Sequence, residues 1–226
     1  MTAKPLPFES AVATGKGDDG STGLLFGGDR VTKDDPRVEA YGTVDEAVAA
    51  LGVARAQLGL KRQYGVLSLS FGGWSELLVR LQRELFVVGA ELATNPDARD
   101  RARDGETRVT ADMVDALGTV LREVESRIDI PREFIVPGQT ALSAHVELAR
   151  TTVRRAERRV TALARDGLLP PESHVLPYLN RLADLLWILA RAAEAAESRT
   201  PIRATTRPRA ARRSGDGDGS TPKATG

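Results

Sequence analysis

LSAHVELARTTVRRAERRVTAL, residues 142–163, places small or apolar side chains at Leu142, Val146, Ala149, Val153, Ala156, Val160 and Leu163. The steps alternate between four and three residues, which keeps one stripe of an α-helix facing a neighbour along its whole length. The spacing predicts a helix that starts near Thr140 and stops at Gly167 and Pro170-Pro171. A seam this long needs partners, and the rest of the chain supplies them in the same period.

Tyr41, Val44, Val48, Leu51 and Leu58 mark one face of a first helix. Trp74, Leu77, Leu78, Leu81, Leu85, Val88 and Leu92 mark a second, ended by Asn95-Pro96 because the residue before proline avoids the helical region. A charged loop, DARDRARDGETR, should follow. Thr110 reads as the cap of a third helix, with Asp112 in its first turn and an apolar stripe of Met113, Leu117, Val120, Val124 and Ile128 closed by Pro131. A fifth helix spans about Pro177 to Ser198, with Leu179, Leu182, Leu186 and Leu189 inward. No strand-like alternation competes. The fold class is all-α, a five-helix bundle with a glycine-rich N-terminal loop and a basic C-terminal tail.

The chain divides into a loop region at 1–37, a helix-bundle domain at 38–199 and a tail at 200–226. From Thr200 onward Pro, Arg, Thr, Ser and Gly dominate without a hydrophobic repeat, and the tail is expected to be disordered. Residues 60–73 are ambiguous, and their glycines favour a break. The length of 226 residues suits one domain, and the absence of cysteine excludes disulfides, thiolate metal sites and cysteine nucleophiles. A net charge of +1 argues against a general nucleic-acid binder, the tail excepted. MTAKPLPFESAV has no apolar stretch behind a basic end, and Leu85–Ala93 falls far short of the ~20 residues that span a bilayer. The expectation is a soluble, cytoplasmic protein with no membrane partner.

Four constellations could carry chemistry. The loop Thr14-Gly-Lys16-Gly17-Asp-Asp-Gly-Ser21-Thr22-Gly23 could cradle phosphate through backbone amides, Lys16 and hydroxyls, although it lacks the Walker A order and also reads as a plain N-terminal loop. On the fourth helix Arg150, Arg154, Glu157 and Thr161 each follow a seam residue and form one strip. Its like-charge neighbours cost a few tenths of a kcal/mol each. The strip either meets an anion or a carboxylate from another helix, or is a solvated face balanced by Glu147 and Glu157. Asn180 and Asp184 lie one turn apart beside the fifth seam, where partial burial would demand a helix–helix hydrogen bond or a ligand. Asp45 shares a helix face with the small residues Gly42, Ala49 and Gly52, and is either a partner for a strip arginine or an exposed acid. His145 and His174 have no metal-ligand spacing, and His145 reads as a hydrogen-bonded core residue.

Taken in order, TGKGDDGSTGLLFGG, KDDPRVEAYGTVDE, FIVPG, ARTTVRRAERR and YLNRLADLLWILAR resemble the PduO-type corrinoid adenosyltransferases, from about Thr14 to Arg191. The resemblance implies a homotrimeric five-helix bundle with active sites between subunits. It implies an enzyme that moves the 5′-deoxyadenosyl group of ATP to cobalt(I) of reduced cobalamin, releasing triphosphate, with Mg²⁺ accompanying the nucleotide and no metal held by the protein. By position, Thr14, Gly15, Lys16, Gly17, Thr22, Gly23 and Lys33 would meet ATP from one subunit. Arg154, Arg155, Ala156, Glu157, Arg158 and Asn180 would meet it from the next. Arg150 would pair with Asp45 across the boundary, and Phe134 would lie beneath the corrin ring. An adenosylcobalamin-dependent enzyme and a cobalamin reductase follow as candidate partners. The family often has a second glycine where this chain has Gln139, and the tail matches no terminus typical of the family. The competing reading is a non-catalytic nucleotide- or corrinoid-binding carrier or sensor.

Overall fold

The computed structural model describes residues 10–58 and 73–204. Five α-helices dominate: α1 (Pro36–Leu58), α2 (Trp74–Ala93), α3 (Ala111–Glu125), α4 (Ala141–Arg165) and α5 (Val175–Ala196). α4 lies between α1 and α5, α2 covers the far side of α1, and α3 covers the far side of α5. The seam that predicted α4 is the centre of the core. Leu142, Val146, Ala149, Val153, Ala156, Val160 and Leu163 are all buried, as are Leu179, Leu182, Leu186 and Leu189 opposite them. α1 meets this layer through Ala40, Val44, Ala47, Leu51 and Ala54, mostly small residues that allow a close approach.

The helix ends follow their local chemistry. Pro36 occupies the first turn of α1, where a missing N–H costs nothing, and Asp35 Oδ1 accepts the Arg37 amide at 2.8 Å. Thr140 caps α4 in a reciprocal box with Ser143, at 3.0 and 3.1 Å. The Thr110 hydroxyl caps α3 by accepting from the Met113 amide.

The structure corrects the sequence reading at several ends. α3 stops at Glu125, well before Pro131, so Ile128 packs on the core from beyond the helix. Residues Pro96–Arg101 wind into a 3₁₀ helix where a charged loop was expected, started by the Asn95 side chain accepting from the Asp97 amide at 3.0 Å. Four two-residue strands also form: β1 (Ser21–Thr22) pairs antiparallel with β2 (Val31–Thr32), and β3 (Ile135–Val136) with β4 (Ile202–Arg203). The last pair places Ile202–Arg203, near the start of the expected disordered tail, against the FIVPG segment. Residues 205–226, most of 60–73 and the first nine residues lie outside the described set. No described helix is long and apolar enough to cross a membrane.

Candidate functional site

A cleft of about 670 Å³ opens where the 131–137 segment crosses α4 and the C-terminal half of α5. Its lining combines apolar and aromatic side chains, Phe134, Ile135, Pro137 and Trp187, with charged ones, Arg132, Arg150, Arg154, Glu133 and Glu147. Phe134 precedes β3 and is 87 % exposed. Its carbonyl accepts the Ala204 amide at 2.7 Å, and Arg203 pairs with Glu133 at 2.7 Å, so the chain beyond α5 clasps the segment carrying the ring. That clasp has no pattern in the sequence.

The arginine strip separates by helix geometry. Arg154 faces the cleft. Glu157 accepts from Asn180 Nδ2 at 3.0 Å, tying α4 to α5 beside it, and Arg158 donates to the Arg154 carbonyl at 3.0 Å. Thr161 caps its own turn on the Glu157 carbonyl. Arg155 turns to α1 and pairs with Glu46, as Arg159 does with Glu39. Ala156 is fully buried and contributes packing only. Asn180 and Asp184 are exposed, contrary to the expected partial burial. Both lie at the edge of the α5 core face, Asn180 beside Glu157 of α4 and Asp184 in a cleft with Leu121 and Glu125 of α3.

Arg150 has a partner within its own helix, the local balance by Glu147 that the second reading of the strip allowed. Its Nε donates to Glu147 Oε2 at 2.6 Å. Asp45 is exposed and lies in a different cleft, of about 440 Å³, with Tyr41, Gly42, Val48 and Phe86. Within one chain Arg150 and Asp45 therefore do not meet. The small-residue face around Asp45 is divided too: a Cβ on Gly52 would lie 3.3 Å from Gln82 of α2, whereas one on Gly42 would meet nothing. His145 is half-buried, and its Nδ1 is buried without a hydrogen-bond partner, so it is not the hydrogen-bonded core residue expected.

The glycine-rich loop is built around Arg30, a residue the sequence reading did not single out. Its guanidinium donates to the Lys16 and Ser21 carbonyls at 2.8 and 2.9 Å and to Ser21 Oγ at 2.7 Å. Gly15 and Gly20 hold positive φ at the two ends of the turn, which suits residues without a Cβ. Lys33 returns over the loop. Its amide donates to the Gly20 carbonyl at 2.8 Å, and its Nζ lies 3.1 Å from where a Cβ on Gly17 would sit. Lys16 and Lys33 thus flank one turn, with Thr14 and Gly23 exposed and Thr22 in β1. Hydrogen bonds from the Ser21 hydroxyl and then the Ser21 amide hold the Asp19 carboxyl below its usual range. The arginine cleft contains none of these loop residues.

Among the described residues no group of three or more His, Asp or Glu could hold a metal ion. A divalent cation carried on phosphate oxygens and water would need no such group.

Comparison with known proteins points the same way. The sequence model of the cobalamin adenosyltransferase family matches residues 12–193. A corrinoid adenosyltransferase of Citrobacter freundii is 37 % identical over 186 residues, covering 81 % of this chain and 94 % of the relative. One from Bacillus subtilis is 38 % identical over 182 residues, covering 80 % and 86 %. Among solved structures, a variant PduO-type ATP:corrinoid adenosyltransferase from Lactobacillus reuteri, complexed with cobalamin and ATP, superposes with a TM-score of 0.71 at 29 % identity, covering 83 % of this chain and 96 % of that one. A match running from the glycine-rich loop through α5, on a bundle of the same fold, settles the assignment: the chain belongs to the cobalamin adenosyltransferase family.

Proposed function

We infer that this protein transfers the 5′-deoxyadenosyl group of ATP to cobalt(I) of reduced cobalamin, giving adenosylcobalamin and triphosphate. The observation that carries the reading is a single cleft lined by both an exposed phenylalanine and the arginines Arg150 and Arg154. A corrin macrocycle presents a broad apolar face, and a triphosphate presents a dense negative charge. One cleft that combines aromatic and arginine side chains suits both.

The chemistry asks little of the protein in proton transfer. Cobalt(I) of the substrate donates an electron pair to C5′ of the ribose; the cobalt–carbon bond forms as the C5′–O bond breaks, and triphosphate leaves with the bonding pair. The residues must hold C5′ in line and neutralise the leaving oxygens. Arg154 suits the second task from the cleft, with Lys16 and Lys33 as loop cations. Asn180 and Glu157 fix each other beside it. Mg²⁺ bound to the nucleotide would share the phosphate charge. Phe134 would form the lower wall, and an apolar ring that excludes a lower axial ligand makes cobalt(II) easier to reduce.

The active site is proposed to form between copies of the chain in a homotrimer. Two features support this: the loop cations and the arginine cleft do not share a cavity in one chain, and Asp45 sits in an open apolar cleft beside Phe86, itself 63 % exposed. In that arrangement Arg150 of one copy meets Asp45 of another. Cytoplasmic location, and an adenosylcobalamin-dependent enzyme or a cobalamin reductase as partners, are proposals that follow from the same activity.

The test is incubation with ATP, Mg²⁺ and chemically reduced cobalamin, following the corrin spectrum. Appearance of the alkylcobalamin spectrum with stoichiometric triphosphate is expected. Tight binding of both ligands without conversion would instead identify a carrier or sensor.

A further inference from the structure

Beneath the cleft lies a chain of alternating charges that the sequence pattern did not reveal. Arg191 of α5, Glu194 of α5 and Glu147 of α4 are buried, at 3 %, 0 % and 4 % exposure. Arg191 grips Glu194 with two parallel bonds, Nε at 2.8 Å and Nη2 at 2.7 Å, and donates its Nη1 to Glu147 Oε1 at 3.3 Å. The other oxygen of Glu147 accepts from Arg150 Nε at 2.6 Å. The Arg191 guanidinium also lies 5.6 Å from the ring centroid of Trp187, the aromatic residue of the cleft. Two acids and two bases compensate one another, so the set is neutral as a whole.

We propose that Glu147 is a positioning residue, which fixes Arg150 through its Nε so that both terminal amino groups stay available to an oxyanion. Three features support the assignment. Glu147 is the only member of the set that touches both arginines, and each of its oxygens is committed to one of them. It cannot swing out with Arg150, because Arg191 is held from the far side by Glu194. Arg150 makes no other hydrogen bond among the described residues, and its side chain is the more exposed end of the set, at 22 % against 2 % for Arg191. An arginine held at Nε keeps the Nη1–Nη2 edge of its fork for carboxylate or phosphate. Without Glu147 that long side chain would have to be ordered anew in each binding event.

The chemistry of the carboxylate makes the inference testable. Glu147→Gln is isosteric but offers one acceptor oxygen and turns an N–H toward the other arginine. One arginine must be released. Arg191 is walled in and doubly bonded to Glu194, so the one released is Arg150.

The inference rests on the adenosyltransferase reading, so wild-type turnover is measured first; its absence would indict that reading and leave this one without a reaction to position. With the wild type active, kcat and KM for ATP are measured for Glu147→Gln, Arg150→Ala and the double variant, with thermal melts of each. Calorimetric titration of ATP without corrinoid, and sedimentation, distinguish a triphosphate from the Asp45 carboxylate of another copy as the oxyanion that Arg150 meets. Glu147→Gln is expected to lose roughly three- to tenfold in kcat/KM, the cost of re-ordering one long side chain. In the Arg150→Ala background the same change should lose nothing further, because the positioned group is already gone. An equal loss in both backgrounds, or no loss in either, overturns the proposal. If Glu147→Gln does not fold, the same cycle is run with Glu147→Asp, which keeps the charge but is one methylene too short to reach both arginines.

Discussion

Replacing Phe134 with alanine separates a folding role from a binding role more cleanly than any other change in the cleft. The ring is 87 % exposed, and the contact that anchors this stretch is a backbone one, the Ala204 amide to the Phe134 carbonyl, which alanine retains. A buried phenylalanine truncated to alanine costs about 3–5 kcal/mol. In a chain of this size even 3 kcal/mol would lower Tm by roughly 6–12 °C. Here almost none of that burial exists, so Tm should move by no more than about 2 °C. If a corrin face covers the ring in the complex, the lost burial is about 1.5–3 kcal/mol. That corresponds to roughly 10- to 150-fold in affinity or rate. The loss should fall on the cobalt(II) substrate. Absorbance and electron paramagnetic resonance of bound cob(II)alamin should show less of the four-coordinate form, and turnover coupled to reduction should fall more than turnover from pre-reduced cobalt(I). A Tm drop of several degrees would show that the ring is packed in the fold. An undiminished four-coordinate signal would show that it does not lie beneath the corrin.

Other outcomes follow from the same geometry. Arg154→Ala should cost about 1.5–3 kcal/mol of charge-assisted phosphate contact, raising KM or lowering kcat for ATP roughly 10- to 150-fold while cob(II)alamin binding by absorbance is retained. Asp45→Asn should dissociate the proposed trimer on dilution and lower turnover with it; sedimentation showing one mass at every concentration, with normal turnover, would make that contact incidental. Ending the chain after Arg199 removes β4 from β3 and should weaken corrinoid binding severalfold, whereas ending it after Ala204 keeps the pair and should not. Tyr178 is fully buried and donates to Glu84 at 2.9 Å. Burial, and then the Glu84 charge, push its phenol well above the ordinary value. The folded state thus holds this proton more tightly than the unfolded one, so the stabilisation is complete below about pH 10 and is lost as pH rises beyond it. Denaturant titrations should show a shallower alkaline loss for Tyr178→Phe, at a cost near neutrality of about 1 kcal/mol.

The sequence by itself determined the helices and the seam between them. A 4-3 repeat from Leu142 to Leu163 has one low-energy outcome, burial of that stripe, and local side-chain chemistry at Thr110 and Thr140 fixed where α3 and α4 begin. It also marked Arg154, through the like-charge strip, and Phe134, through the family resemblance of FIVPG, as candidates. It did not reveal which flank of a seam is covered. Asn180 and Asp184 sit beside core residues yet face outward, since that depends on where the neighbouring helices lie. Glu147 stands three residues before Arg150, a spacing open to anyone reading the helix. What makes the pair a buried clamp is Arg191, which arrives from α5 only when the bundle closes. The β3–β4 clasp and Arg30 are of the same kind. Their bonds join backbone or side-chain groups distant along the chain, and two-residue strands and a lone arginine carry no periodicity. Local patterns record which face of an element seeks burial; only the packed structure decides which charges and carbonyls meet once it is buried.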